Sequence, residues 1–463
     1  MLSLSYQGIP TYIQSIISPV VSALFPHGLF QRQPLTMPSN EGSVGSSSTT
    51  IPKRVLVIGG SYSGLAAALN LLDLCQGRDC RFAGASNTEA VQPAETREKV
   101  PVQITIVDER DGYFHLIGTP RAFASEEYAS FSWRKFADIP ALQTPAIKFI
   151  QGSVTGVDCE RKISTIKEAG TNKEITQKYD YLVASSGLRR TWPSAPESRN
   201  KDDYFREVEG HIAKTKLAQE SVVVIGGGAV GIEIASELKE MHPNLKVILI
   251  HSRDKLLSSE PLPDEFRDRA LELLHDTGVE TIMGSRVIDT TQAQLNGNIT
   301  PSYTLTLANG RTVKAGYVIN AISKYSPTTT YLPSSVLDKE GYVKVNPTLN
   351  FIDEVPNAQY HFAAGDLALL SGIKRAGRAM YHGHYAGMNI YQRMLNERFG
   401  TPPKFSEVAH LPPSMAIAVG KNTVACGPEG VVSGEEIAKV YFEDDLGFGI
   451  CWNYLKLGEA AES

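Results

Sequence analysis

The sequence predicts an α/β protein of two Rossmann-like units, one inserted in the other, with a small α+β domain at the C-terminal end. Three observations carry this expectation. A β-branched apolar run, a glycine-rich turn and a helix-like stretch occur in that order twice, from Lys53 and again from Ser221. A short apolar run ending in Ala364-Gly365-Asp366 follows the second unit. Beyond about Thr401, short segments such as "TVACG", "AKVYFED" and "GFGICWNY" alternate in polarity, which suggests some antiparallel strands. A chain of 463 residues is also too long for one compact core.

Taken in order, residues 1–50 stand apart from the rest. The stretch from Ile13 to Phe25 is apolar but shorter than the roughly 20 residues that a bilayer span requires. Its first basic residue is Arg32, after the apolar run, so a secretory signal is disfavoured. An interfacial anchor, a weak targeting peptide or a helix packed on the body remain as readings. Leu2 excludes myristoylation, and Ser39 to Thr50 reads as a flexible linker.

Residues 51–190 then form the first part of one unit and residues 326–400 its second part. Residues 191–325 form the inserted unit, and 401–463 the C-terminal domain. "RVLVIGG" reads as a buried parallel strand, the stretch from Leu65 as its helix, and "VQITIVDE" from Val102 as the next strand. Gln76 to Val100 is polar and long for an internal loop, so it reads as an exposed insertion.

Composition narrows the function. The chain is 42% hydrophobic and 21% charged with a net charge of −5, which gives no electrostatic case for nucleic acid. Five scattered cysteines, Cys75, Cys80, Cys159, Cys426 and Cys451, include no Cys-x-x-Cys pair. That argues against a disulfide framework and a dithiol mechanism, and suits a reducing compartment. Cys75 and Cys80 fall where the surface insertion begins, as unremarkable thiols. No zinc or Ser-His-Asp constellation is present.

Chemistry is carried by the turns. In Gly59-Gly60-Ser61-Tyr62-Ser63-Gly64, Gly59 allows the tight turn, the small Ser61 lets backbone N–H groups approach a pyrophosphate, and Gly64 lets strand and helix approach. The helix start adds free N–H donors and partial positive charge. Asp108 at the next strand end is placed to bond an adenosine ribose, beyond the usual spacing of about 20 residues because of the insertion. Gly226-Gly227-Gly228-Ala229-Val230-Gly231 matches the dinucleotide fingerprint in full, with Gly226, Gly228 and Gly231 at its three glycine positions. Its second strand ends in His251-Ser252-Arg253 rather than an acid, so Arg253 accommodates a 2′-phosphate and NADPH serves at least as well as NADH. Gly365-Asp366 after a strand and before a helix resembles the pattern that in two-dinucleotide flavoproteins holds the ribityl chain of FAD. Val154 and Gly187 join these as expected cofactor-binding positions.

These stretches, with "VDERDGYFHLIGTPRAFAS" and "SMAIAVGKNTVACG", resemble the pyridine-nucleotide-disulfide-oxidoreductase superfamily. Within it the chain looks most like the apoptosis-inducing-factor-like, ferroptosis-suppressor-type flavoproteins, relatives of type II NADH dehydrogenases. The resemblance runs from about Lys53 to Leu457 and departs at Ser61, at the insertion and at the N-terminus. It implies FAD on the first and third motifs, NADH or NADPH as hydride donor on the second, and a quinone-type acceptor. Carried over by position, Arg121 lies near the flavin, Glu233 in the first turn of its helix faces the flavin–nicotinamide junction, and Lys404 lies near the acceptor.

His382 and His384, two apart, do not share a helical face, so a metal pair is disfavoured. One of them, taken as His382, could bond the flavin or shuttle a proton. The expected function is an FAD-dependent NAD(P)H oxidoreductase with a small organic acceptor such as a quinone. A tailoring oxidoreductase of a biosynthetic pathway, or a redox reporter acting through a protein partner, stand as alternatives. Nothing in the sequence decides oligomeric state, so a homodimer stays open. So does the location: cytoplasmic, peripheral to a membrane, or mitochondrial.

Overall fold

The computed structural model describes residues 51–81, 97–293, 301–322, 325–410, 412–428 and 430–460. The N-terminal apolar segment with its linker, and most of the Gln76–Val100 insertion, lie outside them.

The first unit opens with β1 (Lys53–Ile58), α1 (Tyr62–Cys75) and β2 (Val102–Asp108), followed by β3 (Ile147–Asp158), β4 (Ile163–Glu168), β5 (Glu174–Lys178) and β6 (Tyr181–Ala184). The inserted unit contains α2 (Lys201–Leu217), β7 (Val222–Ile225), α3 (Ala229–Met241), β8 (Val247–Ile250), α4 (Asp264–Asp276) and β9 (Glu280–Ile282). It continues with β10 (Val287–Gln292), β11 (Tyr303–Leu307), β12 (Thr312–Ala315) and β13 (Tyr317–Asn320). The chain then returns through β14 (His361–Ala363) and α5 (Ala376–Phe399). It ends with β15 (Met415–Val419), β16 (Asn422–Gly427), β17 (Gly430–Gly434), α6 (Glu435–Tyr441) and α7 (Phe448–Tyr454).

The large sheet runs β14-β6-β1-β2-β3-β4-β5, parallel from β14 to β3 and antiparallel beyond. The second sheet, β9-β8-β7-β13, is wholly parallel. Its strands all fall between the two contributions to the first sheet, so one unit is inserted in the other. Its two central strands β7 and β8, "VVVI" and "VILI", are buried throughout, as a sheet covered on both faces requires.

Every residue of α1 is buried because it lies between its sheet and α5. Gly383 on α5 makes this possible: a Cβ there would stand 2.1 Å from Ser63 O on α1. The two helix axes therefore approach backbone to backbone, which fixes the start of α5 against the first turn.

The C-terminal domain differs from expectation in one respect. The sheet β15-β16-β17 is antiparallel, but "AKVYFED" and "GFGICWNY" build α6 and α7 instead of strands. Phe448, Cys451 and the capping Leu455 are buried along α7, and their three- and four-residue spacing is helical. Ile417, Val419 and Val424 of the sheet pack on the second unit, whereas Phe448 and Leu455 pack on the first. The domain thus clamps the two units together.

Cys75 also departs from expectation. It closes α1, is buried, and stands 3.9 Å from Met394 Sδ, so it is a core thiol and not part of a surface excursion. Cys80 is partly buried, and burial pushes its thiol up to about 12.

Candidate active site

At the first turn the backbone reverses between β1 and α1. Gly59 has φ of +105°, and a Cβ there would stand 2.5 Å from Ser185 O. A Cβ on Gly64 would stand 1.8 Å from Gly59 O, so strand and helix could not meet over any larger residue. Ser61 takes extended backbone with φ of −109°, open to any side chain, which is why serine replaces the usual glycine without strain. Its hydroxyl caps no amide, and no acid stands in the first helical turn. The positive end of α1 is left for an anion.

Asp108 does not wait at the strand end for a ligand alone. Its carboxylate accepts the N–H of Gly60 at 2.7 Å and that of Arg110 at 2.8 Å, wiring β2 to the first turn. Burial pushes its carboxyl above the ordinary range. The neighbouring Glu109 pairs with Arg189 at 2.9 Å and accepts from Ser153 at 3.1 Å. Val154 sits at a register shift of β3 opposite Ile166, and Gly187 has φ of +68° with its carbonyl accepting from Thr328.

The second turn repeats the first. Gly226 has φ of +118°, and a Cβ on Gly231 would stand 1.9 Å from Gly226 O. Gly228 has extended backbone with nothing within 4 Å of a Cβ position, so open space lies before the helix start. Where the first unit uses Asp108, this one uses His251, whose Nδ1 accepts the N–H of Gly227 at 3.0 Å. Arg253 is exposed and donates to Ser258 O and Oγ at 3.1 Å.

At the third motif Gly365 has φ of +86°, and a Cβ there would stand 2.9 Å from Ser63 Cβ. Asp366 pairs with Arg190 at 2.9 Å. Three buried polar atoms around these turns have no hydrogen-bond partner: Ser63 Oγ, Arg375 Nη1 and His382 Nδ1. Such atoms are costly unless a ligand meets them. Together with the glycine cradle, Ser63 Oγ and His382 Nδ1 fit the residues present to FAD.

All three motifs open on one cavity of about 290 Å³. Tyr62 follows the first turn, Val230 and Glu233 follow the second, and Asp366 closes the third; Arg375 and Phe442 complete the enclosure. Glu233 stands in the second turn of α3, one turn later than expected. Its Oε1 accepts from Ala418 N–H at 3.4 Å, and burial pushes its carboxyl up to about 8.

His382 is buried on α5 with Nε2 accepting from Arg378 at 3.4 Å, beside Gly365 and Asp366. Burial and the nearby cations Arg378 and Lys374 lower it to about 3, so it is neutral. Two other carried-over positions are not brought to the cavity. Arg121 lies outside its lining and pairs with Glu237 at 2.8 Å, while also donating to Asp444 O at 2.7 Å. Lys404 is exposed, and its N–H donates to Gln392 Oε1 at 3.1 Å. Gln392 stands roughly 20 Å along α5 from the cavity end, at about 1.5 Å per residue.

The sequence reading missed Tyr62 and His115. His115 is fully buried, with Nδ1 3.2 Å from Tyr62 Oη and Nε2 3.0 Å from Leu446 O. Nε2–H therefore donates to the carbonyl, and Nδ1 is the acceptor facing the phenols of Tyr62 and, at 3.3 Å, Tyr113. Burial lowers this imidazole to about 4, so it stays neutral and holds a cavity-wall tyrosine in place. Arg190, Lys374 and Arg375 were missed as well; the run "KRAGR" was the only signal for the last two, and "GLRR" for Arg190.

Comparison with known proteins agrees with this geometry. The pattern of the pyridine nucleotide-disulphide oxidoreductase family matches residues 53–383. Oxidoreductase OXR1 of Ajellomyces capsulatus is 81% identical over 461 residues, covering 99% of this chain and 100% of its own. Ferroptosis suppressor protein 1 of Xenopus tropicalis is 24% identical over 352 residues, 75% of this chain and 83% of its own. In fold, NDH2 from Plasmodium falciparum, solved in complex with NADH, matches with a TM-score of 0.60 at 14% identity, over 88% of this chain and 98% of that one. The chain therefore belongs to the pyridine nucleotide-disulphide oxidoreductase family and is a flavin-dependent NAD(P)H oxidoreductase.

Proposed function

We propose that the protein passes reducing equivalents from NAD(P)H to a quinone-like or other small organic acceptor. The observation that carries this is the single cavity on which both glycine turns and Asp366 converge. FAD, when bound, supplies the two-electron relay between donor and acceptor. In balance, NAD(P)H and one proton convert one quinone to its quinol and release NAD(P)+.

The first turn, Ser63 and Asp366 hold FAD, with His382 Nδ1–H as a donor toward it. The second turn, His251 and Arg253 hold the nicotinamide dinucleotide. Glu233 keeps a proton at neutral pH on the wall that α3 contributes. Leu116, Ile117, Met380, Ile417, Phe442 and Ile450 give the cavity an apolar wall suited to a flat carbonyl ring. Lys404 has no part in this reading. Among the described residues no helix is long and apolar enough to cross a membrane.

The test is NADPH and NADH oxidation against a panel of quinones, with oxygen alone as the control acceptor. Turnover with quinones well above the oxygen rate is expected. Equal rates with and without quinone would overturn the acceptor assignment.

A further inference from the structure

We propose that the cavity selects anionic acceptors, quinones or related carbonyl compounds bearing a sulfonate, carboxylate or ionised hydroxyl, held by Arg375 and Lys374. This rests on the acceptor reading above and names the substrate class it would take.

The charged side chains on the cavity wall do not balance. Asp366 is already neutralised by Arg190 at 2.9 Å. Glu233 keeps its proton up to about 8, so it offers little negative charge at neutral pH. Lys374 donates to the Ala368 carbonyl at 2.7 Å and lies over the Tyr342 ring, and its one anionic neighbour is Asp366, which Arg190 already pairs. Arg375 makes no ion pair among the described residues, and its buried Nη1 has no partner at all. Burial and the adjacent Arg378 draw its guanidinium down only to about 10, so it remains charged.

With Arg190, Lys374 and Arg375 set against the one carboxylate of Asp366, two positive charges in excess thus face a largely apolar space in a chain whose net charge is −5. A half-desolvated cation without a partner is unfavourable, and an anion entering with a ligand supplies what is missing. FAD has its own cradle for the diphosphate at the start of α1. Arg375 instead has Tyr441 of α6 as a neighbour, on the C-terminal wall of the cavity.

The experiment compares 1,2-naphthoquinone with its 4-sulfonate as acceptors for the FAD-loaded enzyme and saturating NADPH, with anaerobic flavin reduction by NADPH followed separately. The ratio of the two KM values should favour the sulfonate. It should fall roughly tenfold in Arg375→Gln, as loss of one charge-assisted contact implies, and recover in Arg375→Lys. In the wild type, added NaCl should raise KM for the sulfonate and leave the neutral quinone unaffected. A ratio indifferent to salt and to Arg375→Gln, with flavin still reduced by NADPH, overturns the proposal. Loss of FAD from Arg375→Gln would assign the guanidinium to the cofactor and overturn it equally. Failure of NADPH to reduce the flavin would instead strike the functional reading beneath it.

Discussion

The imidazole Nδ1 of His251 accepts the backbone N–H of Gly227 at 3.0 Å. In the first unit the carboxylate of Asp108 does the same for Gly60 at 2.7 Å. Strand end and glycine turn are thus joined in both units, once by an anion and once by a ring that burial keeps neutral. The second dinucleotide site loses the repulsion that a carboxylate would direct at a 2′-phosphate.

His251→Asp should keep the bond to Gly227 while restoring that repulsion. NADPH efficiency should fall roughly tenfold or more, with NADH efficiency retained. Arg253→Ala should lose NADPH efficiency selectively as well. Steady-state kcat/KM for each nucleotide checks both, and a strong wild-type preference for NADH would refute this reading of the strand end.

Gly228 has backbone angles open to any residue and no neighbour within 4 Å of a Cβ. Gly228→Leu should therefore fold and retain FAD, while its side chain blocks the pyrophosphate path. Flavin absorbance should persist and NAD(P)H reduction should fail. Loss of both cofactors together would show the assignment of the two units to be wrong.

Glu233 is held protonated up to about 8, so its capacity to give a proton is present below that pH and lost as pH rises through it. Turnover should decline on the alkaline side accordingly. Glu233→Gln should lower kcat on the order of a hundredfold and remove that limb. An unchanged pH profile in the variant would exclude the proton role.

Arg121→Met should leave Glu237, whose side chain is 0% exposed, buried without its cation. A loss of about 3 kcal/mol is expected, read as a lower Tm. The double variant Arg121→Met with Glu237→Leu should regain most of it, because no unpaired charge remains. Equal Tm for wild type and the single variant would show that Glu237 does not need its cation.

What was legible in the sequence follows from how local each signal is. Gly59, Gly226 and Gly365 need positive φ, and the residues around them sit within one turn, so their spacing alone disclosed the three motifs. Ser61 was an apparent flaw that extended backbone explains. Tyr62 and His115 escaped notice because their roles depend on partners far away in the chain, such as Leu446 for His115, and Arg375 because only the folded cavity wall shows it without a counter-charge. Lys404 was misplaced for the converse reason: a nearby run of sequence resembled a motif, but the length of α5 carries it away from the cavity. The tail segments that became α6 and α7 were read by alternation, whereas Phe448, Cys451 and Leu455 obey helical spacing.

The edge strand β14 reaches β6 only after the whole inserted unit has been made, with His361 opposite Leu182. This orders events during synthesis. The four parallel strands of the second unit lie between Val222 and Asn320 and can close on one another while the first sheet still lacks an edge. The first sheet and the buried helix α1 must wait for β14 and α5 to emerge. Because such long-range closure is entropically slow, the nascent first unit passes through an open stage with apolar surface uncovered. The FAD cradle, which needs Ser63 and Gly365 side by side, is therefore among the last features of the molecule to form.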